Sequence, residues 1–77
     1  MKNYVDVICL NQKNGKIKPL CIVWDDGVKY PIDKIVQVIN AASIKSGGMG
    51  LRYTCKIGLN FRYLYFGEGK WFIEKFD

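Results

Sequence analysis

The stretch that decides the fold is Leu51-Arg52-Tyr53-Thr54-Cys55-Lys56-Ile57, in which apolar and polar side chains alternate without a break. Successive side chains of a β-strand point to opposite faces of the sheet. The alternation therefore predicts a strand over residues 51–57, with Tyr53 buried among the apolar side chains of one face. Arg52, Thr54 and Lys56 are expected on the other face.

Similar apolar runs lie on both sides of this strand, and residues typical of turns separate them. The runs cover residues 4–10, 17–24, 28–32, 61–66 and 71–76. Asn14-Gly15 is a strong hairpin signal, whereas Pro19 and Pro31 indicate an edge position or a bulge because proline donates no ladder hydrogen bond. This spacing predicts an all-β fold, a small closed roll or barrel (SH3-like or OB-like) of six or seven short antiparallel strands.

Residues 33–43 fit two structures. The apolar residues Ile35, Val36 and Ile39 have helical spacing, and Asp33 is a suitable N-cap for a short helix around residues 33–43. The same segment is rich in β-branched side chains, which are more typical of strands. The composition favours a short turn at Asp33-Lys34 followed by a long strand.

Size and composition limit both the architecture and the chemistry. A chain of 77 residues with 49% apolar and 14% aromatic residues predicts one compact domain over residues 1–77. It contains no histidine, the commonest general base and metal ligand. We therefore expect a protein that is not an enzyme and that has no metal and no cofactor. Asp25 and Asp26 are expected to accept backbone hydrogen bonds in a turn beside Gly27.

The cysteines indicate a reducing compartment. Cys9, Cys21 and Cys55 lie in apolar runs and have no metal-binding spacing, so we interpret them as small core residues. The longest uncharged stretch, residues 35–44, is far shorter than the roughly 20 residues of a membrane span, and no signal-peptide cleavage site is visible. These features predict a cytoplasmic protein without a membrane segment.

A glycine-rich loop and a modest positive charge suggest an anionic partner. Twelve Lys and Arg against seven Asp and Glu give a net charge of +5. Glycines in the segment 45–52 could turn backbone N–H groups toward an anion, and Lys45 and Arg52 flank them. A flexible connection between two strands is the simpler interpretation of the loop, and a charge that serves only solubility is the simpler interpretation of the excess cations.

Cations and aromatic residues alternate between Arg52 and Phe66. Single-stranded nucleic acids are commonly held by cations on phosphates and aromatic rings on bases. Phe61, Tyr63 and Tyr65 share one face of their strand, while Arg62, Leu64 and Phe66 share the other, so some aromatic surface should be exposed. This surface could also contact a protein partner or a second copy. We expect the two tryptophans, at positions 24 and 71, to be core residues.

Several short segments of the chain form a recognisable set: Trp24-Asp25-Asp26-Gly27, Tyr30-Pro31-Ile32-Asp33-Lys34, Ala41-Ala42-Ser43, Gly47-Gly48, Arg52-Tyr53-Thr54-Cys55-Lys56-Ile57 and Lys70-Trp71-Phe72. Together they resemble a family of short Firmicutes proteins with a G-G-x-G-x-R-Y-T-C-x-I segment. Members are often encoded near Y-family translesion polymerases, and the family has no assigned activity. The resemblance implies a small all-β domain with a role in nucleic-acid binding or DNA repair. Ile39-Asn40 departs from the family, which has a pair of arginines there, and this weakens the case for direct DNA binding.

The sequence thus leads to two hypotheses. The first is a non-enzymatic nucleic-acid-binding accessory domain linked to DNA repair, monomeric or homodimeric. Its predicted binding residues are Lys45, Gly47, Gly48, Arg52, Lys56, Arg62 and Tyr63, with the cations on phosphates, the glycine backbone as an anion site and Tyr63 stacked on a base. The second is a protein–protein interaction module or homodimer that uses the exposed aromatic strand.

Overall fold

The computed structural model describes residues 2–40 and 50–74, which form seven β-strands and no helix. The strands are β1 (Lys2–Asn11), β2 (Ile17–Val23), β3 (Lys29–Pro31), β4 (Lys34–Asn40), β5 (Gly50–Ile57), β6 (Asn60–Gly67) and β7 (Lys70–Glu74). They form one antiparallel sheet in the order β3-β2-β1-β7-β6-β5-β4. The predicted small all-β roll is confirmed. The described part of the ambiguous segment is strand β4, as its β-branched composition favours.

The sheet curls because two residues join its opposite edges. Only Ile32 and Asp33 separate β3 from β4, although these strands lie at the two ends of the strand order. The Ile32 N–H donates to the Leu20 carbonyl of β2 at 2.9 Å, and the Asp33 N–H donates to the Lys56 carbonyl of β5 at 2.8 Å. The Asp33 carboxylate also accepts the Gly58 N–H at 2.7 Å. The two residues that connect β3 to β4 are therefore hydrogen-bonded to strands at both edges of the sheet.

The first two hairpin turns share one hydrogen-bond pattern. The Gly15 N–H donates to the Gln12 carbonyl at 2.9 Å, and the Gly27 N–H donates to the Trp24 carbonyl at 2.8 Å. In each turn the residue before the glycine, Asn14 or Asp26, accepts the backbone N–H two residues further on through its side chain, at 2.9 Å. Both glycines have φ above +80°. The predicted turns, and the predicted hydrogen bond to Asp26, are confirmed.

Both prolines occupy the positions that their missing N–H allows. The register of β1 and β2 changes from Ile8 opposite Cys21 to Cys9 opposite Pro19, so β2 has a bulge beside Pro19. Pro31 lies in the short edge strand β3.

The core lies on the inner face of the curled sheet. Its buried members come from β2, β5, β6 and β7 and are Ile22, Tyr53, Cys55, Leu64 and Trp71. The burial predicted for Tyr53 is confirmed, and its hydroxyl donates to the Ile17 carbonyl at 2.8 Å. The core prediction is also right for Trp71. It is wrong for Trp24, which is 37% exposed where β2 ends.

The three cysteines are free and differ in position. Cys55 is fully buried, and Cys9 packs against the core. Cys21 is half-buried and pairs with the exposed Ile8, so its side chain lies on the outer face. The prediction of a core residue is therefore confirmed for Cys55 and Cys9 and is wrong for Cys21. Cys21 lies on the outer face because the bulge beside Pro19 changes the alternation along β2.

Candidate nucleic-acid interface

Four strands place aromatic rings and an arginine side by side on the outer face of the sheet. Tyr4 of β1 pairs with Phe72 of β7, Phe72 pairs with Tyr65 of β6, and Tyr65 pairs with Arg52 of β5. Each of these residues alternates along its strand with residues of the inner core, so all four side chains leave the sheet on its outer side. We call this set (Tyr4, Phe72, Tyr65 and Arg52) the aromatic row.

The rings of the aromatic row pack on one another. The Tyr65 and Phe72 rings stack with centroids 5.0 Å apart and an angle of 4° between their planes. The Tyr4 ring meets Phe72 edge-on at 5.8 Å. Phe72 is consequently only 3% exposed, although it lies outside the roll. The outer face thus carries a second apolar layer, and aromatic pairs of this kind contribute roughly 0.5–1.5 kcal/mol each beyond the area that they bury.

Cations lie over these rings. The Lys2 ammonium is 4.8 Å from the Phe72 ring centroid, and the Lys70 ammonium is 5.6 Å from that of Tyr4. The Arg52 guanidinium is 4.4 Å from the centroid of Tyr63, which lies two residues before Tyr65 on the same face of β6. These distances are within the range of cation–π attraction, so the rings hold the positive charges against the sheet.

A second set of outer residues continues the positive surface toward β4. Phe61 of β6 pairs with Lys56 of β5, and Lys56 pairs with Lys34 of β4. All three are exposed, and 57% of the Phe61 surface is open to solvent. We call Phe61, Lys56 and Lys34 the open row. Among the described side chains of the seven strands, Asp6 of β1 is the one carboxylate on the outer face.

The structure brings together some of the predicted binding residues and separates others. Arg52, Lys56 and Tyr63 lie on the outer face, as the alternation predicts. Arg62 does not join them, because its odd–even position places it opposite Cys55 on the inner side of β6. There its guanidinium donates to the Phe61 carbonyl at 2.9 Å. The predicted site residues Lys45, Gly47 and Gly48 lie outside the described residues.

Arg62 borders a separate cleft at one end of the roll. The cleft has a volume of about 260 Å³, and Trp24 and Tyr30 line it together with apolar side chains of the inner face. Ile22 at its base is buried, whereas the two aromatic residues are exposed. Because Arg62 lies on the inner side of β6 opposite Cys55, it adds no charge to the aromatic row.

The sequence predicts half of the aromatic row: Arg52 is a predicted binding residue and Tyr65 shares a face with Tyr63, whereas Tyr4 and Phe72 are not predicted. Tyr4 and Lys2 reach it through the pairing of β1 with β7, which joins segments almost the whole chain apart. No local pattern predicts such a pairing. No sequence pattern indicates Lys70, which is a lone cation beside a turn. The alternation along residues 61–66 does indicate Phe61, because it shares a face with Tyr63.

Burial disfavours ionisation of two side chains of the inner face, Cys55 and Tyr53. Burial raises the pKa of the Cys55 thiol to about 11, because a thiolate there would lose its hydration. Burial also raises the pKa of Tyr53, and the neighbouring Cys9 and Cys55 raise it further. A thiol with this pKa is protonated near neutral pH and is a poor nucleophile. Within residues 2–40 and 50–74, no group of three or more His, Cys, Asp and Glu side chains is placed to hold a metal ion.

No family model, curated protein or solved structure matches the chain. The described residues include no helix of the length and apolarity needed to cross a membrane. The functional argument therefore rests on the aromatic row, the open row and the charges that accompany them.

Proposed function

We propose that this chain is a non-enzymatic nucleic-acid-binding domain that uses its outer face. The observation that carries the proposal is that three cations lie over aromatic rings of the outer face: Lys2 over Phe72, Lys70 over Tyr4 and Arg52 over Tyr63. A nucleic acid offers phosphates to cations and base faces to aromatic rings and guanidinium planes. The outer face offers both kinds of contact within one continuous sheet.

The charges on this face are available to a ligand. In the described part of the chain, Lys2, Lys56 and Lys70 form no ion pair with a carboxylate. The Nε of Arg52 is buried and has no hydrogen-bond acceptor among the described residues. Among the described side chains, a phosphate would therefore displace no carboxylate from these lysines, and its binding would release counterions.

The proposed cellular role, in DNA repair, is supported by the resemblance to the Firmicutes family. Members encoded near translesion polymerases support a role as an accessory protein of DNA repair. In this chain Ile39 pairs with Arg52 and lies at the β4 end of the aromatic row. A family arginine at that position would extend the positive surface, so we expect weaker DNA binding here than in such members. The three free cysteines support a cytoplasmic location.

The test is binding of a fluorescent oligonucleotide, followed by anisotropy between about 50 mM and 200 mM salt. Affinity should fall steeply as salt rises, and Arg52→Gln should weaken binding and reduce the slope of log K against log salt by roughly 1. Lys13→Gln, in the exposed turn between β1 and β2, is the matched control and should have no effect. Absence of binding at the lowest salt, or equal losses in both variants, contradicts the proposal.

A protein interaction module or homodimer is the second candidate. It is favoured by the apolar end of the β5–β6 hairpin, where Leu59 is 95% exposed and Phe61 is 57% exposed. Self-association through this end would depend on protein concentration and little on salt. Sedimentation equilibrium of the wild type and of Leu59→Ser tests self-association through this end of the hairpin. A monomer at all concentrations excludes the homodimer.

A further inference from the structure

We infer that the nucleic acid bound by the outer face is single-stranded and that Phe61 stacks on one of its bases. The inference rests on the proposed function and specifies its ligand. It starts from a difference among the outer aromatic rings. Within residues 2–40 and 50–74, most of these rings contact another ring or a cation, and Phe61 contacts neither.

The occupied rings can be identified one by one. Tyr65 and Phe72 stack on each other, and Tyr4 contacts both the Phe72 ring and the Lys70 ammonium. Tyr63 carries the Arg52 guanidinium. Phe61 has no ring or cation contact among the described residues, and more than half of its surface is exposed. The ring with room for a base is therefore Phe61 rather than Tyr63, the residue that the sequence suggested.

The open row supplies the matching charges. Lys56 lies directly opposite Phe61 on the neighbouring strand, and Lys34 lies opposite Lys56 on the next. Neighbouring strands are about 4.8 Å apart, so the two lysines begin roughly 5 Å and 10 Å from Phe61 on the same side. Both side chains are long and exposed. Phosphates of a nucleotide stacked on Phe61 would therefore be within reach of these ammonium groups.

The stacking contact decides between single and double strands. In a duplex, each base face is covered by the next base pair, so a ring on a sheet surface meets only edges and backbone. Unpaired bases can turn their faces to an aromatic side chain. A duplex could instead receive the β5–β6 hairpin in its major groove, because a two-stranded ribbon fits there. In that geometry Phe61 would not stack on a base, and of the open row only the lysines would contribute to the binding affinity.

The experiment compares a labelled oligothymidine of about 12 nucleotides with a hairpin duplex of similar length. Single-stranded DNA should bind at least about tenfold more tightly than the duplex. Phe61→Leu, which keeps an apolar residue but removes the ring, should weaken single-strand binding roughly 5- to 100-fold. Phe61→Trp should retain it. Leu59→Ser is the matched control, because it removes an exposed apolar side chain from the adjacent turn and should leave the affinity unchanged.

The outcomes separate this inference from the proposed function. If neither DNA binds, the proposed function fails and the inference fails with it. If the duplex binds as well as the single strand and Phe61→Leu has no effect while Lys56→Gln weakens binding, the proposed function stands and the inference is overturned. Near-ultraviolet circular dichroism of each variant establishes that the fold is intact. The three substituted positions, Lys56, Leu59 and Phe61, are exposed, so we expect every variant to fold.

Discussion

At the scale of single residues, the two titratable core side chains, Cys55 and Tyr53, are uncharged near neutral pH. Cys55 has no accessible surface and Tyr53, two residues earlier, is nearly as well buried. Burial is the main cause of the raised pKa of both groups. The Tyr53 hydroxyl nevertheless has an acceptor, the Ile17 carbonyl of β2, so a polar group is included in the core without an unmet hydrogen bond.

These pKa shifts predict a loss of stability at alkaline pH. The pKa of Cys55 rises from an ordinary value of 9.0 to about 11 on folding, so its contribution is complete below pH 9 and lost as the pH rises through 11. A shift of this size corresponds to roughly 2–3 kcal/mol in the free energy of unfolding. Urea titrations from neutral pH to about pH 11 measure the decline. Tyr53 shifts in the same direction and adds to it.

Two cysteine variants identify the source of this decline. Cys55→Ala should lower the stability at neutral pH but flatten its fall above pH 9. Cys21→Ala, on the outer face, should leave the shape of the profile unchanged. An undiminished decline in Cys55→Ala would show that the thiol does not titrate as its burial implies.

At the scale of elements, the β6–β7 hairpin contains a residue that does not suit its turn. Gly67 pairs with Lys70, so Glu68 and Gly69 form a two-residue loop. Their φ angles are 54° and 75°, and two positive values are characteristic of a type I′ turn. Glycine adopts this conformation readily, whereas glutamate is strained there. The turn favours asparagine at the first position.

Glu68→Asn should therefore raise the free energy of unfolding by about 0.5–1 kcal/mol. Glu68→Gln is the matched control, since it removes the charge but keeps the unfavourable conformation. Chemical denaturation of the three proteins measures the difference. A gain that Glu68→Gln reproduces in full would assign the effect to charge instead of backbone geometry.

The elements themselves could largely be predicted from the sequence because each hairpin is local. The alternation in residues 51–57 predicts which side of β5 is buried, and Pro19 predicts the bulge that the structure contains. The same alternation places Arg52, Lys56 and Tyr63 on one face. Arg62 lies on the opposite face, so the prediction of Arg62 as a binding residue conflicts with the alternation of its own strand.

At the scale of the whole molecule, the contact between β1 and β7 could not be predicted. Strands β1 to β3 and strands β4 to β7 are two runs of sequential hairpins, and the β1–β7 pair joins them across most of the chain. Hydrophobic periodicity specifies which face of a strand is buried but not which distant strand lies beside it. Tyr4 joins the aromatic row only through this strand pair. Its place in the row is therefore determined by the fold and cannot be predicted from any single segment of the sequence.

The same pair determines how the protein should respond to mechanical force. Lys2 lies opposite Glu74, followed inward by three further pairs that end at Val5 and Trp71. Tension applied between residues 2 and 74 pulls the strands apart from one end and breaks these pairs one after another, which is the unzipping geometry. Tension between residues 14 and 74 pulls β1 and β7 along their length and loads all four pairs at once. In single-molecule pulling, we expect a markedly lower rupture force for the first attachment than for the second. Equal forces would indicate that another strand pair resists the load.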